Sequence, residues 1–172
     1  LFRDGRPRHI LVDDQLPAHG HGRPLFAASK QRDELWVSLL EKAYAKLFSS
    51  YAAIEGGHVD EALVDLTGGV GGENLSLAEE GRDPDRLWSR LTGFVHAGYL
   101  LGAGSPAGTD TDVSAEGIVQ GHAYSCLRVA EEEGHRLLQL RNPWGRTKWR
   151  GDWADASHLW APRLQARLLW SD

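Results

Sequence analysis

The feature that most constrains the fold is the stretch from Gly117 to Gly145, GIVQGHAYSCLRVAEEEGHRLLQLRNPWG. Its two apolar segments flank the acidic run EEEG at 131–134, a pattern typical of two antiparallel strands joined by a tight turn. A turn centred on Glu132 would place His122, on the first strand, opposite Asn142, at the end of the second. Opposed Cβ atoms in such a ladder lie roughly 4.5–5.5 Å apart, so we expect the imidazole and the carboxamide within hydrogen-bonding reach.

A histidine beside an asparagine has the chemistry of an oriented base. When one ring nitrogen is bonded to a carboxamide, the other presents its lone pair in a defined tautomer, as the base of a Cys-His-Asn hydrolase must. The alternative is a buried histidine with a purely structural role. His122 and Asn142 are therefore candidate catalytic residues that still require a nucleophile.

The only cysteine of the chain, Cys126, is a poor candidate for that nucleophile. It lies four residues beyond His122 on the same predicted strand, which at about 3.3 Å per residue separates the two Cα atoms by roughly 13 Å. That distance is too long for the two side chains to share a proton. We therefore interpret Cys126 as a small core residue, and the nucleophile must come from elsewhere or be absent.

Several blocks of sequence accompany this pair in a fixed order. They are VDDQLP at 12–17, LLEKAYAKL at 39–47, SYAAIEGG at 50–57, DLTGG at 65–69, GHAYS at 121–125, LRNPWG at 140–145 and WRGDWAD at 149–155. Together they resemble the calpain protease core along nearly the whole chain, and details at 36–47 and 140–145 favour its small-optic-lobes branch. In calpains the catalytic cysteine lies on a first lobe and the histidine and asparagine on a second. Residues 1–172 resemble the second lobe alone, truncated at both ends and without the nucleophile lobe.

This resemblance implies a fold and a function. The expected fold is α+β, a papain-like second lobe in which an antiparallel, barrel-like sheet carries about three helices. The expected activity is that of an intracellular cysteine endopeptidase acting on protein substrates, with His122 as the base and Asn142 orienting it. Trp144 would cover the pair and the Gly121 region would line the cleft. The chain alone should be inactive without a Cys-bearing first lobe, and the alternative is a catalytically inert scaffold or interaction module in a larger assembly.

Calcium is the one cofactor that the resemblance raises, as a candidate in the full-length protein. Asp155 matches a calcium-ligand position of the calcium-regulated calpains, but the preceding ligand position is occupied by Lys148. An ammonium has no lone pair to donate and repels a cation. We therefore expect calcium binding in this lobe to be weakened or lost, and assign no metal ligand or other cofactor.

Composition and charge limit which partners and which cellular compartment the protein can have. The 172 residues carry a formal charge of −5, which argues against a nucleic-acid partner because phosphate binding needs a concentrated basic surface. No apolar run approaches the roughly 20 residues that cross a bilayer, so no membrane span is expected. A single cysteine excludes an internal disulfide, and with the resemblance this favours a cytoplasmic protein.

Periodicity predicts the other elements. Alternating residues favour strands at 8–13, 25–28 and 99–103, with 73–80 extended. Apolar residues spaced by three and four predict helices from an Asp33 cap to Phe48, over 58–66, and from Asp83-Pro84 onward.

Three further segments have simpler interpretations. The glycine run at 68–72 lacks the Gly-Lys-Ser/Thr ending of a phosphate loop. The loop at 104–117, with acidic Asp110, Asp112 and Glu116, lacks the EF-hand pattern and is interpreted as a mobile loop that could gate the cleft. Trp149 and Trp153 are expected to fill the end of the sheet barrel.

Overall fold

The computed structural model describes residues 1–31, 33–109 and 111–168. Asp110 of the acidic loop and the C-terminal residues 169–172 therefore lie outside the described part. Contacts divide the chain into two compact units, Leu1–Gly72 and Glu73–Asp172. Within the described residues, no helix has both the length and the apolar character needed to cross a bilayer.

The first unit is mainly helical. A two-stranded antiparallel sheet, β1 (Phe2–Arg3) and β2 (Arg6–Pro7), precedes α1 (Trp36–Leu47), a single 3₁₀ turn (Ala52–Ile54) and α2 (Val59–Thr67). The predicted helices over 33–48 and 58–66 are thus confirmed within a few residues at their ends. The cap of α1 is Leu35, which makes no side-chain cap bond, so the capping role expected of Asp33 is wrong.

The strands predicted at 8–13 and 25–28 are not formed, because side chains of α1 bind the backbone groups that a ladder would use. The Nζ of Lys46 donates to the carbonyl of Leu11 (2.7 Å). The N–H of Ala27 donates to Glu41 (2.9 Å), and the carbonyl of Ala27 accepts from Ser38 (2.7 Å). Burial does alternate here, since Ile10 and Val12 are half-buried and Leu11 is 84% exposed, but the segment has no strand ladder.

The second unit contains the candidate site. Helices α3 (Leu77–Glu80) and α4 (Pro84–His96) are followed by strands β3 (Leu101–Gly104), β4 (Ala123–Glu132) and β5 (His135–Arg141), and then by α5 (Pro162–Arg167). The strands form an antiparallel sheet in the order β3-β4-β5. The strand predicted at 99–103 is confirmed, whereas the extended segment at 73–80 is wrong because its second half is α3.

The α+β class is confirmed, with a correction to the architecture. In the described part of the chain, two small antiparallel sheets and five α-helices are present, and the sheets do not close into a barrel. The expected barrel-like sheet is therefore wrong.

Helix α4 is held against the hairpin of β4 and β5. Its N-cap is Asp83, as predicted, whose carboxylate accepts from the N–H of Arg86 (3.0 Å). Trp88, 9% exposed, donates its indole N–H to Glu131 on β4 (2.6 Å). Arg136 on β5 pairs with Asp85 at the start of α4 (2.7 Å). One helix face thus contacts both strands that lead to the site.

The hairpin turn lies further along the chain than predicted. Glu132 pairs with His135, so the two turn residues are Glu133 and Gly134, both with positive φ (53° and 80°). Positive φ at both positions is the type I′ geometry, which matches the twist of a two-residue hairpin. The turn is therefore not centred on Glu132.

A bulge changes the register further along the same hairpin. Arg128 pairs with Gln139, whereas Cys126 pairs with Leu140, which leaves Leu127 as the extra residue of β4. Beyond the bulge Ser125 pairs with Arg141, so the continuing register places Asn142 opposite Tyr124. His122 and Asn142 are therefore diagonal neighbours and not directly opposed.

The tryptophan-rich segment after β5 packs only partly as predicted. Trp153 lies against His135 and Trp160, with ring centroids 4.8 and 4.9 Å apart. Trp149 is 44% exposed and donates its indole N–H to the carbonyl of Asp152 (2.6 Å). Trp153 thus packs on the hairpin, and the core role expected of Trp149 is wrong.

Candidate active site

His122 lies immediately before β4 and its backbone is held by Ser105. The N–H of Ser105 donates to the carbonyl of His122 (2.9 Å), and the hydroxyl of Ser105 accepts from the N–H of His122 (2.8 Å). The same hydroxyl lies 3.1 Å from the His122 carbonyl, as a donor to it. These contacts continue the β3 to β4 ladder by one step, so the backbone that carries the imidazole is fixed on both sides.

Gly121 gives the chain its turn into this strand. Its φ is +57°, a conformation that residues with a Cβ adopt at a cost, and a Cβ there would lie 2.3 Å from the carbonyl oxygen of Gly108. Its N–H donates to the carbonyl of Pro106 (2.7 Å). The structure therefore gives Gly121 a backbone reason to be glycine, and its role as a cleft residue stays a prediction.

Asn142 follows β5 directly and uses both ends of its carboxamide. Its Oδ1 lies 2.9 Å from Nε2 of His122 and accepts from the N–H of Trp144 (3.0 Å). Its Nδ2 donates to the hydroxyl of Thr147 (2.9 Å). The structure thus brings together the two side chains singled out in the sequence, although by a register different from the one expected.

These bonds determine which ring nitrogen of His122 carries the proton. A backbone N–H can bond only to an acceptor, so the atom of Asn142 that faces Trp144 is the carbonyl oxygen. The same oxygen faces Nε2, which must therefore donate. In the neutral ring the lone pair is then on Nδ1, and the hydrogen bonds of the described residues leave that atom open. His122 is accordingly set up to accept a proton at Nδ1.

Two aromatic rings enclose the imidazole. Trp144 lies with its ring centroid 4.4 Å from that of His122 and remains 47% exposed. Tyr124 meets His122 edge-on at 5.0 Å and is 8% exposed. Tyr124 thus walls the ring from the interior, and Trp144 partly shields the His122 to Asn142 bond, which strengthens as water is excluded.

Cys126 does not complete this site. Its thiol lies on β4 and contacts the carbonyl of Arg128 (3.7 Å). Burial raises the pKa of the Cys126 thiol, which disfavours the nucleophilic thiolate. Its interpretation as a packing residue agrees with this environment.

The loop predicted to be mobile is extensively hydrogen-bonded. Gln120 donates to the carbonyl of Asp112 (2.8 Å), Ser114 donates to the carbonyl of Ile118 (2.8 Å), and Val113 and Val119 form an isolated bridge. Val119 is 2% exposed. The segment is therefore anchored by backbone hydrogen bonds to residues 118–120, just before His122, and its role as a gate stays a prediction.

The two positions compared with calcium ligands lie side by side after Asn142. Lys148 and Asp155 form an ion pair at 2.6 Å, so an ammonium lies where a cation would need an oxygen ligand. Among the described residues, no group of three or more His, Cys, Asp or Glu side chains is arranged to hold a metal ion. The expected weakening or loss of calcium binding stays a prediction.

Sequence comparison relates the chain to a known family of proteins. The sequence pattern of the calpain family of cysteine proteases matches residues 1–170. The chain belongs to the calpain family. It is 52% identical over 165 residues to the calpain-type cysteine protease DEK1 of Zea mays, covering 93% of this chain and 8% of that protein. It is 53% identical over 163 residues to DEK1 of Arabidopsis thaliana, covering 92% and 8% respectively.

A mammalian calpain is also similar over the same region. Human calpain-12 is 42% identical over 164 residues, covering 93% of this chain and 22% of that protein. The chain therefore spans less than a quarter of the length of these relatives. Family membership confirms the resemblance on which the fold and the protease class were predicted.

Three residues of the candidate site were missed by sequence reasoning. They are Ser105, Tyr124 and Thr147, which contact the backbone of His122, its ring and the carboxamide of Asn142. Tyr124 could have been inferred, since it lies two residues from His122 on the same strand face. Ser105 and Thr147 act through loop contacts that carry no periodic signal.

Proposed function

We propose that this chain supplies the histidine and asparagine of a calpain-type cysteine endopeptidase, with His122 as the base and Asn142 as the residue that orients it. The observation that carries the proposal is the 2.9 Å contact between His122 Nε2 and Asn142 Oδ1, with the amide orientation set independently by Trp144. It leaves Nδ1 of His122 as the proton acceptor.

The proposed reaction requires a cysteine from a separate first lobe. Its thiol proton passes to Nδ1 of His122, which creates an imidazolium and a thiolate. The thiolate then attacks a peptide carbonyl. Asn142 keeps the ring in position while it accepts this proton and gives it to the leaving amine, after which water releases the acyl group from the cysteine. The partners are thus the Cys-bearing lobe and a protein substrate, and the chain alone is expected to be inactive.

The setting of this activity is part of the same proposal. Family membership supports a cytoplasmic endopeptidase. The lack of a suitable cysteine among the described residues supports dependence on a separate first lobe, because Cys126 is partly buried and the pKa of its thiol is raised by that burial.

Labelling of the natural-length protein by an epoxide that traps thiolates, together with peptide hydrolysis, tests the proposal. We expect labelling and hydrolysis in the unchanged protein. Both should fall by about a hundredfold or more in His122→Ala, because general-base catalysis contributes about 10²–10⁴-fold. Asn142→Ala should lower hydrolysis through a loss of kcat, since the ring is no longer held in one tautomer.

Cys126→Ser is the matched control, because it removes the chain's only thiol and leaves the proposed base intact. Labelling that persists in this variant assigns the reactive thiol to another lobe. An unchanged protein that neither labels nor hydrolyses any protein substrate would instead favour the inert scaffold, and the catalytic proposal would then be abandoned.

A further inference from the structure

Thr147 makes the contact that completes the carboxamide of Asn142. Its hydroxyl oxygen lies 2.9 Å from Nδ2, and its backbone carbonyl lies 3.5 Å from the same nitrogen. We propose that Thr147 is a positioning residue of this site, whose hydroxyl keeps Asn142 in the orientation that places the proton of His122 on Nε2. Its effect on catalysis rests on the proposed function, whereas its effect on the imidazole does not.

The need for such a contact follows from the near symmetry of a carboxamide. A half-turn about the last side-chain bond exchanges Oδ1 and Nδ2, which are similar in size but opposite in hydrogen-bonding character. In the exchanged state the NH₂ group would face the N–H of Trp144 and the Nε2 of His122. The imidazole could then bond to it only as an acceptor at Nε2, which moves its own proton to Nδ1 and removes the base.

Two bonds favour the productive orientation from opposite ends. The N–H of Trp144 selects the oxygen, and the hydroxyl of Thr147 accepts from the nitrogen. The hydroxyl can also rotate, so it selects less sharply than a backbone N–H does. Its main contribution is that Nδ2 has a partner at this point, since a polar group without one in a half-buried site costs free energy.

The backbone beside Thr147 is held in place from the anchored loop. The N–H of Arg150 donates to the carbonyl of Glu116 (2.8 Å). Gly117, with φ of +91°, passes so close to Lys148 that a Cβ on it would lie 2.0 Å from the Lys148 carbonyl oxygen. Lys148 itself pairs with Asp155 at 2.6 Å. The hydroxyl of Thr147 is therefore presented from a segment whose backbone is held directly after it, at Lys148 and Arg150.

The sharpest test compares Thr147→Ser with Thr147→Ala in the natural-length protein. Both variants lose the methyl group, and only the serine keeps the hydroxyl, so any difference between them reports on the hydrogen bond. Thr67→Ala is the matched control, because Thr67 is exposed and its hydroxyl bonds only to Leu63 and Gly69 at the end of its own helix.

Two readouts separate this proposal from the proposed function. The tautomer of His122 is measured by nitrogen NMR of histidine-labelled protein, with its signals assigned by their loss in His122→Gln. We expect the Nε2-protonated form in the unchanged protein, Thr147→Ser and Thr67→Ala, and a mixture of both tautomers in Thr147→Ala. Peptide hydrolysis should show kcat about three- to tenfold lower in Thr147→Ala, the effect of one hydrogen bond, with KM changed by less than about twofold.

The proposal is overturned if Thr147→Ala keeps the Nε2-protonated ring, or if Thr147→Ser shifts the tautomer as much as alanine does. If the unchanged protein hydrolyses no peptide, the endopeptidase proposal fails while the tautomer comparison still decides the role of Thr147. Should Thr147→Ala fail to fold, Thr147→Val provides the same removal of the hydroxyl with the side-chain volume retained.

Discussion

The hydroxyl of Tyr124 accepts a hydrogen bond from the backbone N–H of Val119 at 2.9 Å, in the most buried part of the second unit. Val119 is 2% exposed and Tyr124 8% exposed. The ring that contacts His122 is thus tied to the backbone just before His122.

Tyr124→Phe should destabilise the protein by about 1–3 kcal/mol, because it leaves a buried N–H without a partner while it retains the ring. Urea unfolding measures the change. Tyr99→Phe is the control, since Tyr99 is 59% exposed. Equal stabilities for the two variants would contradict the importance of the buried bond.

Gly117→Ala should destabilise the second unit more than Gly134→Ala does. Both glycines have positive φ, +91° and +80°, so each alanine pays about 1 kcal/mol of backbone strain. Only at Gly117 would the new Cβ meet another atom, the Lys148 carbonyl oxygen, while Gly134 has open space. Overpacking should lower the free energy of unfolding of Gly117→Ala by about 1–3 kcal/mol more, which urea unfolding of the two variants measures.

The parts of this fold that could be predicted are those with local signals. The amphipathic period of α1 and the Asp83-Pro84 start of α4 can be recognised from residues that are close together in the sequence. The hairpin could be recognised from its apolar runs and acidic turn. These signals sufficed to bring His122 and Asn142 to the same region, and the family motifs did so independently.

What could not be predicted depends on contacts between distant residues. The alternation at 8–13 suggested a strand, but Lys46 binds the carbonyl of Leu11, 35 residues away in sequence, and no strand partner is formed. The bulge at Leu127 has no signature in the sequence, so the register near Asn142 could not be derived. Thr147 contributes through a loop contact for which spacing gives no rule.

Stability should fall between about pH 10 and pH 12 because of Tyr44. Burial, followed by the hydrogen bond from its hydroxyl to Asp65 (3.0 Å), raises the pKa of Tyr44 from about 10 to about 12. The folded state therefore keeps a proton that the unfolded state has lost, so the stabilisation is complete below pH 10 and disappears as pH rises through the folded pKa. Unfolding measured across this range should show a smaller decline in Tyr44→Phe, and the decline should persist in Tyr99→Phe.

Calcium affinity should rise in Lys148→Glu. The substitution replaces the ammonium that pairs with Asp155 by a second carboxylate, which supplies oxygen ligands and removes a repelling charge. Calorimetric titration should detect no micromolar calcium binding to this lobe in the unchanged protein and tighter binding in the variant. Lys30→Glu makes the same change in net charge without altering the pair of Lys148 and Asp155, and should have no such effect. Micromolar binding before substitution would contradict the expectation.

The extra residue at Leu127 separates the hairpin into two sections with different tolerance to change in length. Between the bulge and the turn at Glu133, evolution could add or remove one residue from each strand, and the far ends would keep their alignment. Between Leu127 and His122, a deletion from one strand alone would invert which face His122 occupies relative to Asn142. Insertions and deletions among relatives should accordingly be concentrated at the tip of the hairpin and be rare between His122 and Leu127.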